Sequence, residues 1–90
     1  MNTRGETEEK IIARVKSGDD DAFAHLVESY KNKVFSLAYR ILFSWQEAED
    51  VSQEAFIKVY RRLNSFDPKR AGFSTWLYRI TYHLCVDYLR

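Results

Sequence analysis

One cysteine, one proline and three glycines are spread through 90 residues, and each scarcity removes a class of protein. Cys85 alone can neither close an internal disulfide nor supply a zinc site, so its expected role is that of a small buried hydrophobe in a reducing compartment. No apolar run approaches the roughly eighteen residues that a membrane helix needs, and no signal-peptide pattern opens the chain. The cytosol is the expected compartment, with no membrane insertion. Enzyme chemistry is equally short of parts. His25, His83 and Cys85 are the available groups, and His83 and Cys85, two residues apart, face apart on a helix. Neither a Gly-rich phosphate loop nor a metal-ligand spacing occurs, so no catalytic residue, metal or cofactor is expected. Internal repeats, low-complexity segments and sustained strand patterns are also missing.

What the chain does contain is helical periodicity. A hydrophobic content of 46% with 16% aromatics argues for a packed core, and the length argues for a single domain near the lower end of the self-sufficient size. Residues 1–6 are polar and expected to fray. A first helix is predicted over residues 7–17, with Ile11, Ile12 and Val15 on its apolar side and Gly18 as its stop. Asp19, Asp20 and Asp21 are placed to cap the next helix; a calcium loop would need further spaced acids that the chain lacks. The second helix is predicted over residues 22–43, uninterrupted by Gly or Pro, with Phe23, Leu26, Val27, Tyr30, Val34, Leu37, Ala38 and Ile41 on one stripe.

The third helix begins legibly. Ser44 and Glu47 form a capping-box pattern, and Ala48, Val51, Ala55, Phe56, Val59, Tyr60 and Leu63 recur at three- and four-residue spacings. Helices two and three are expected to form a long antiparallel hairpin. Residues 64–72 gather Asn, Ser, Asp, Pro and Gly into a loop that also carries Phe66 and the adjacent Lys69 and Arg70. A last helix opens at Ser74 as N-cap and runs to Arg90. Its core face is Trp76, Leu77, Ile80, Leu84, Cys85 and Tyr88, and Thr75, Arg79, Tyr82, His83, Val86 and Arg90 form a basic and aromatic stripe opposite. With no C-cap after it, the chain is expected to be part of a larger protein. The predicted fold is all-α, three to four helices in a compact bundle.

A formal net charge of +1 hides a segregation. Between Glu47 and Glu54 stand four acids and no base, whereas between Ile57 and Arg90 stand seven Lys or Arg against Asp67 and Asp87. Acid before base suits the helix dipole, which is one explanation; segregated charge is also a statement about partners.

The residues then carry a resemblance. Asp50-Val51-Ser52-Gln53-Glu54-Ala55-Phe56, Ser65-Phe66-Asp67 and Phe73-Ser74-Thr75-Trp76-Leu77-Tyr78-Arg79-Ile80 together resemble the second domain of bacterial extracytoplasmic-function sigma factors, the initiation subunits of RNA polymerase. The likeness runs from about Ser17 to Arg90 and implies one region 2 domain over residues 1–90, without the domain that reads the minus-thirty-five element. It implies that Asp50, Gln53 and Glu54 dock on the clamp coiled coil of the largest polymerase subunit; helical spacing puts Ile57 on the same surface, as a further expected polymerase contact. It implies further that the loop and last helix recognise and melt the promoter minus-ten element, holding non-template bases out of the stack. An anti-sigma factor is a further implied partner.

That work requires cations for the strand, aromatic faces for stacking and a pocket for a flipped base. Lys58, Arg61, Arg62, Lys69, Arg70 and Arg79 are the candidate cations, and Phe66, Phe73, Tyr78 and Tyr82 the candidate platforms. Ser65, Asp67, Ser74 and Thr75 fall within the matching DNA-binding motifs. Trp76 lies beside Leu77 and Ile80 on the apolar face, so a core role competes with DNA contact. Primary sigma factors resemble this segment but carry a second Trp where Leu77 stands, so a two-Trp wedge is missing and opening is expected to rely on a loop pocket. Related sequences commonly carry Asn where His83 stands, so base preference is expected to differ. The main alternative is a helical protein-interaction module without DNA binding. A helix-turn-helix reader fits poorly, because residues 64–72 are too long for its tight turn.

Overall fold

A computed structural model describes residues 7–90; the expected fraying of residues 1–6 lies outside the described residues. Four α-helices follow in order: α1 (Glu8–Lys16), α2 (Asp20–Leu42), α3 (Trp45–Arg62) and α4 (Phe73–Leu89), with a single 3-10 turn (Leu63–Ser65) after α3. Every regular element among the described residues is helical, in agreement with the all-α prediction. Two compact units divide the chain, at residues 1–30 and 31–90.

In the first unit, the local chemistry of helix ends sets the boundaries. The Thr7 side chain accepts the Lys10 N–H at 3.3 Å and caps α1. Gly18, at φ +100°, terminates it in a conformation that only glycine adopts without strain. Of the three aspartates expected to cap α2, Asp19 makes the bond: its carboxylate accepts the Ala22 N–H at 3.1 Å. The same carboxylate pairs with the Arg14 guanidinium at 2.6 Å. Hydrogen bonding from Arg14, reinforced by the Ala22 N–H, holds the Asp19 carboxyl below the usual carboxylate range. Ile11, Ile12, Val15, Ala22 and Leu26 are the buried apolar residues of this unit.

In the second unit, α2 ends at Leu42, one residue earlier than predicted. Phe43 takes φ 53°, the left-handed region, and its N–H still bonds to Tyr39 O at 2.8 Å. The helix thus closes with an αL residue where glycine is usual. Ser44 caps α3 as predicted, its Oγ accepting the Glu47 N–H at 3.2 Å. Helices α2 and α3 meet beside this two-residue connection, where Trp45 packs edge-on against Phe35 with centroids 4.6 Å apart. Ala38 and Leu42 of α2, Ala48 and Val51 of α3 and Cys85 of α4 form one core cluster.

Extended helix packing joins α3 to α4. Val51, Ala55, Val59 and Leu63 make one row at four-residue spacing, and Phe73, Leu77, Thr81 and Cys85 make another. Rows of this spacing are the ridges by which helices interdigitate, and small residues at Ala48 and Ala55 let the backbones approach. The α4 row corrects the predicted core face. Thr81 is fully buried, a polar residue tolerated because its hydroxyl donates to Leu77 O at 2.9 Å. Tyr88 and, on α3, Tyr60 are about half exposed: Tyr60 stands one residue off the row at Val59, and Tyr88 lies beyond Cys85, where the buried row of α4 ends.

Candidate functional site

The exposed side of α3 carries Asp50, Gln53 and Glu54, with Ile57 also exposed at 44%. A single exposed isoleucine is ordinary on a protein surface; what distinguishes Ile57 is its place beside the three polar groups. Tyr88 of α4 completes this face: its hydroxyl donates to Asp50 Oδ2 at 3.4 Å. Partial desolvation, with the carboxylates of Asp50 and Glu47 beside it, pushes the Tyr88 phenol above its ordinary pKa. Periodicity places Tyr88 in the core, because spacings of seven from Thr81 and three from Cys85 share a helical face. Its exposure follows instead from its place beyond Cys85, the last buried residue of α4.

Toward its C-terminus α3 turns basic. Arg61 and Arg62 are exposed and Lys58 is partly so. The loop that follows is ordered by its own polar groups. Ser65 Oγ donates to Arg62 O at 2.7 Å, and Asp67 accepts the Lys69 N–H at 2.9 Å in an Asx turn. A second turn bond runs from Arg70 N to Asp67 O at 3.0 Å. Beneath the loop, three rings lock together. Phe66 lies 5.6 Å from Phe73 and 5.1 Å from Trp76, centroid to centroid.

This triad corrects two expectations. Phe66 and Phe73 are buried, at 5% and 4% exposure, so neither offers an open face for a base; they hold the loop from below. Burial of Phe73 also draws the start of α4 back by two residues, from Ser74 to an extended Gly72 cap, and Ser74 sits inside the first turn instead of capping it. Trp76, by contrast, is partly exposed: it packs on Phe66 and lines the surface beside it.

Ser65, Phe66, Asp67, Arg70, Ala71, Trp76 and Arg79 line a recess of about 250 Å³. Drug-sized pockets occupy roughly 300–1,000 Å³, so this one suits a single planar ring system. Two guanidiniums, one carboxylate and an indole converge on it. Farther along α4, Thr75, Arg79, Tyr82 and His83 are exposed on the predicted stripe, with the Tyr82 and His83 rings 6.0 Å apart. Lys69 is exposed on the loop but does not line the recess. Among the described residues, no cluster of His, Cys, Asp or Glu is arranged to hold a metal ion, and no helix is long and apolar enough to cross a membrane.

With this geometry in hand, comparison with known proteins is decisive on the family. The sigma-70 region 2 family profile matches residues 26–90, and the chain belongs to that family. It is 53% identical over 81 residues to the extracytoplasmic-function (ECF) RNA polymerase sigma factor SigW of Bacillus subtilis, covering 90% of this chain and 43% of that protein. To the ECF RNA polymerase sigma-E factor of Escherichia coli K12 it is 47% identical over 83 residues, covering 92% of this chain and 42% of that protein. The chain thus spans less than half the length of these relatives. Among solved structures, it superposes with a TM-score of 0.86 and 46% identity on an engineered region 2 of sigmaE determined by NMR in complex with GTAAAA; the match covers 99% of this chain and 90% of that one. The resemblance read from residues 50–56, 65–67 and 73–80 is borne out at the level of the family.

Proposed function

We propose that this chain is the part of an ECF sigma factor that docks on core RNA polymerase and recognises and melts the promoter minus-ten element. Residues 1–90 act in this as one functional domain, in the cytoplasm, as a binding factor without catalysis of its own. Asp50, Gln53, Glu54 and Ile57 meet the clamp coiled coil of the largest subunit, with carboxylates for Arg or Lys partners and an apolar contact at the centre. Lys58, Arg61, Arg62, Lys69, Arg70 and Arg79 follow the phosphates of the non-template strand. One flipped base enters the recess, against Trp76 and within reach of Ser65, Asp67, Arg70 and Arg79. Thr75, Tyr82 and His83 contact the strand along α4. An anti-sigma factor regulates the protein by covering the acidic face.

The observation that carries this proposal is the recess, in which two cations and an indole surround a base-sized space on the basic side of a domain whose relative is a complex with GTAAAA. Binding of a fluorescent single-stranded minus-ten oligonucleotide tests it. Log affinity is expected to fall linearly with log salt, with a slope no steeper than about −4 if all six cations engage, at roughly −0.7 per contact. A salt-independent affinity contradicts it.

His83 carries a specificity prediction. A neutral imidazole presents one donor and one acceptor on different ring atoms, while an amide presents both from one group. His83→Asn is expected to change the base preferred at one position of the element while leaving total affinity within about threefold. An unchanged preference across all four bases at every position removes His83 from the readout set.

A further inference from the structure

Tyr88 is the residue of α4 that reaches the acidic motif of α3. Its hydroxyl donates to Asp50 Oδ2 at 3.4 Å, across 38 positions of sequence. Among the described residues, no other side chain hydrogen-bonds to that carboxylate. The place of Tyr88 does not depend on this one bond. Cys85, three residues earlier on α4, lies in the core cluster with Ala48 and Val51 of α3, which stand two before and one after Asp50. Those buried contacts fix the α4 backbone beside Asp50, and a residue three beyond Cys85 falls on the same side of the helix.

The phenol also stands near Glu47, one turn before Asp50. Desolvation, followed by the carboxylates of Asp50 and Glu47, raises its pKa above the ordinary value. The hydroxyl therefore remains a protonated donor throughout the neutral range. The bland account is an aromatic at the edge of a helix pair whose hydroxyl meets the nearest carboxylate. A bond this long, at the surface, does contribute little to stability. Its effect lies in orientation. An exposed aspartate samples several rotamers, and a partner's cation has to select one of them at an entropic cost. A donor held in place by the core removes part of that choice in advance. Oδ1 and the remaining lone pairs stay open to the partner.

We propose that Tyr88 is a positioning residue for polymerase docking, which holds the Asp50 carboxylate from α4 in the orientation that accepts an Arg or Lys of the partner helix. This role rests on the proposed docking of Asp50. It adds a residue outside the Asp-x-x-Gln-Glu motif and makes a second helix part of the docking face.

The test is a double-mutant cycle, read as the affinity of the 90-residue protein for core RNA polymerase. Tyr88→Phe keeps the ring and removes the hydroxyl. Its helical CD signal and its affinity for a minus-ten oligonucleotide are expected to be unchanged, and its melting temperature to stay within about 4 °C of wild type. Polymerase affinity is expected to fall about three- to tenfold, within the cost of immobilising one side chain on binding. In an Asp50→Ala background the same substitution is expected to cost nothing further, whereas in a Glu54→Ala background it keeps its full cost. Side-chain NMR couplings of Asp50 are expected to report one dominant rotamer in the wild-type chain and an averaged set in Tyr88→Phe, a change that a merely structural tyrosine would not produce. Unchanged polymerase affinity in Tyr88→Phe, with Asp50→Ala still weakening binding, overturns the positioning role and leaves the docking face standing. An equal loss with and without Asp50 also overturns it, since Tyr88 then meets polymerase itself. If neither Asp50→Ala nor Glu54→Ala alters polymerase affinity, the docking face fails and the positioning role with it.

Discussion

Reversing two charges on α3, in the variant Asp50→Lys/Glu54→Lys, is expected to abolish binding to core RNA polymerase while leaving the helical CD spectrum unchanged. Both residues are exposed, and the 3.4 Å Tyr88–Asp50 hydrogen bond that is lost lies at the surface, so the fold is expected to persist. The competing explanation of this acidic stretch is the helix dipole. Its influence is confined to about one turn, and α3 begins at Trp45, which puts Asp50 in the second turn and Glu54 in the third. Carboxylates there contribute little to dipole matching, so a partner is the better account. Removing one member of a hydrogen-bonded charge pair at an interface costs about 2–5 kcal/mol, and reversal adds repulsion. Two such losses correspond to at least about a thousandfold in affinity, at 1.4 kcal/mol per tenfold. Each reversal adds two charges, taking the formal net charge from +1 to +5. Strand binding by the basic side should therefore hold or rise slightly, and a parallel loss of both activities would point to misfolding instead.

The second large effect is expected in the core. Leu77 is fully buried in the α4 row that packs along α3. Leu77→Ala is expected to cost about 2–5 kcal/mol, the range for deleting a buried leucine in a site that cannot fully collapse. In a domain of this size each kcal/mol corresponds to about 4–8 °C, so the melting temperature should fall by at least about 8 °C. Polymerase and strand binding should then decline together with temperature, since one helix pair supports both surfaces. A loss confined to strand binding would place Leu77 at the DNA and not in the core. The fully buried Leu77 also bears on melting. A tryptophan at this position would have to enter a closed core or displace it, so an exposed wedge at residue 77 would require a different local packing from that seen here.

Much of this was legible from residues alone, and what was not has physical reasons. Ser44 with Glu47 located the start of α3 to the residue, because capping is a local interaction of side chain with nearby backbone. Gly18 marked the end of α1 for the same reason. Phe43 could not be foreseen, since nothing in a bulky aromatic announces a left-handed backbone. The α4 core face was rotated in prediction because Thr81 reads as polar. Its hydroxyl is satisfied by its own helix, and only the strict four-residue spacing of Phe73, Leu77, Thr81 and Cys85 could have revealed it. Similarly, Phe66 and Phe73 looked like platforms for bases. Whether an aromatic faces solvent or a neighbouring ring is a tertiary property, and here the two rings face each other and Trp76.

The relation between the two surfaces of α3 is the central claim, and one measurement bears on it directly. Core RNA polymerase, a bubble template carrying the minus-ten element and the 90-residue chain are combined, and complexes are separated by native gel shift. The expected result is a ternary complex with the wild-type chain. The Asp50→Lys/Glu54→Lys chain should form none, although it still binds the single strand alone. A ternary complex formed equally well by the charge-reversed chain, or a wild-type chain that binds the strand and never polymerase, would contradict the account.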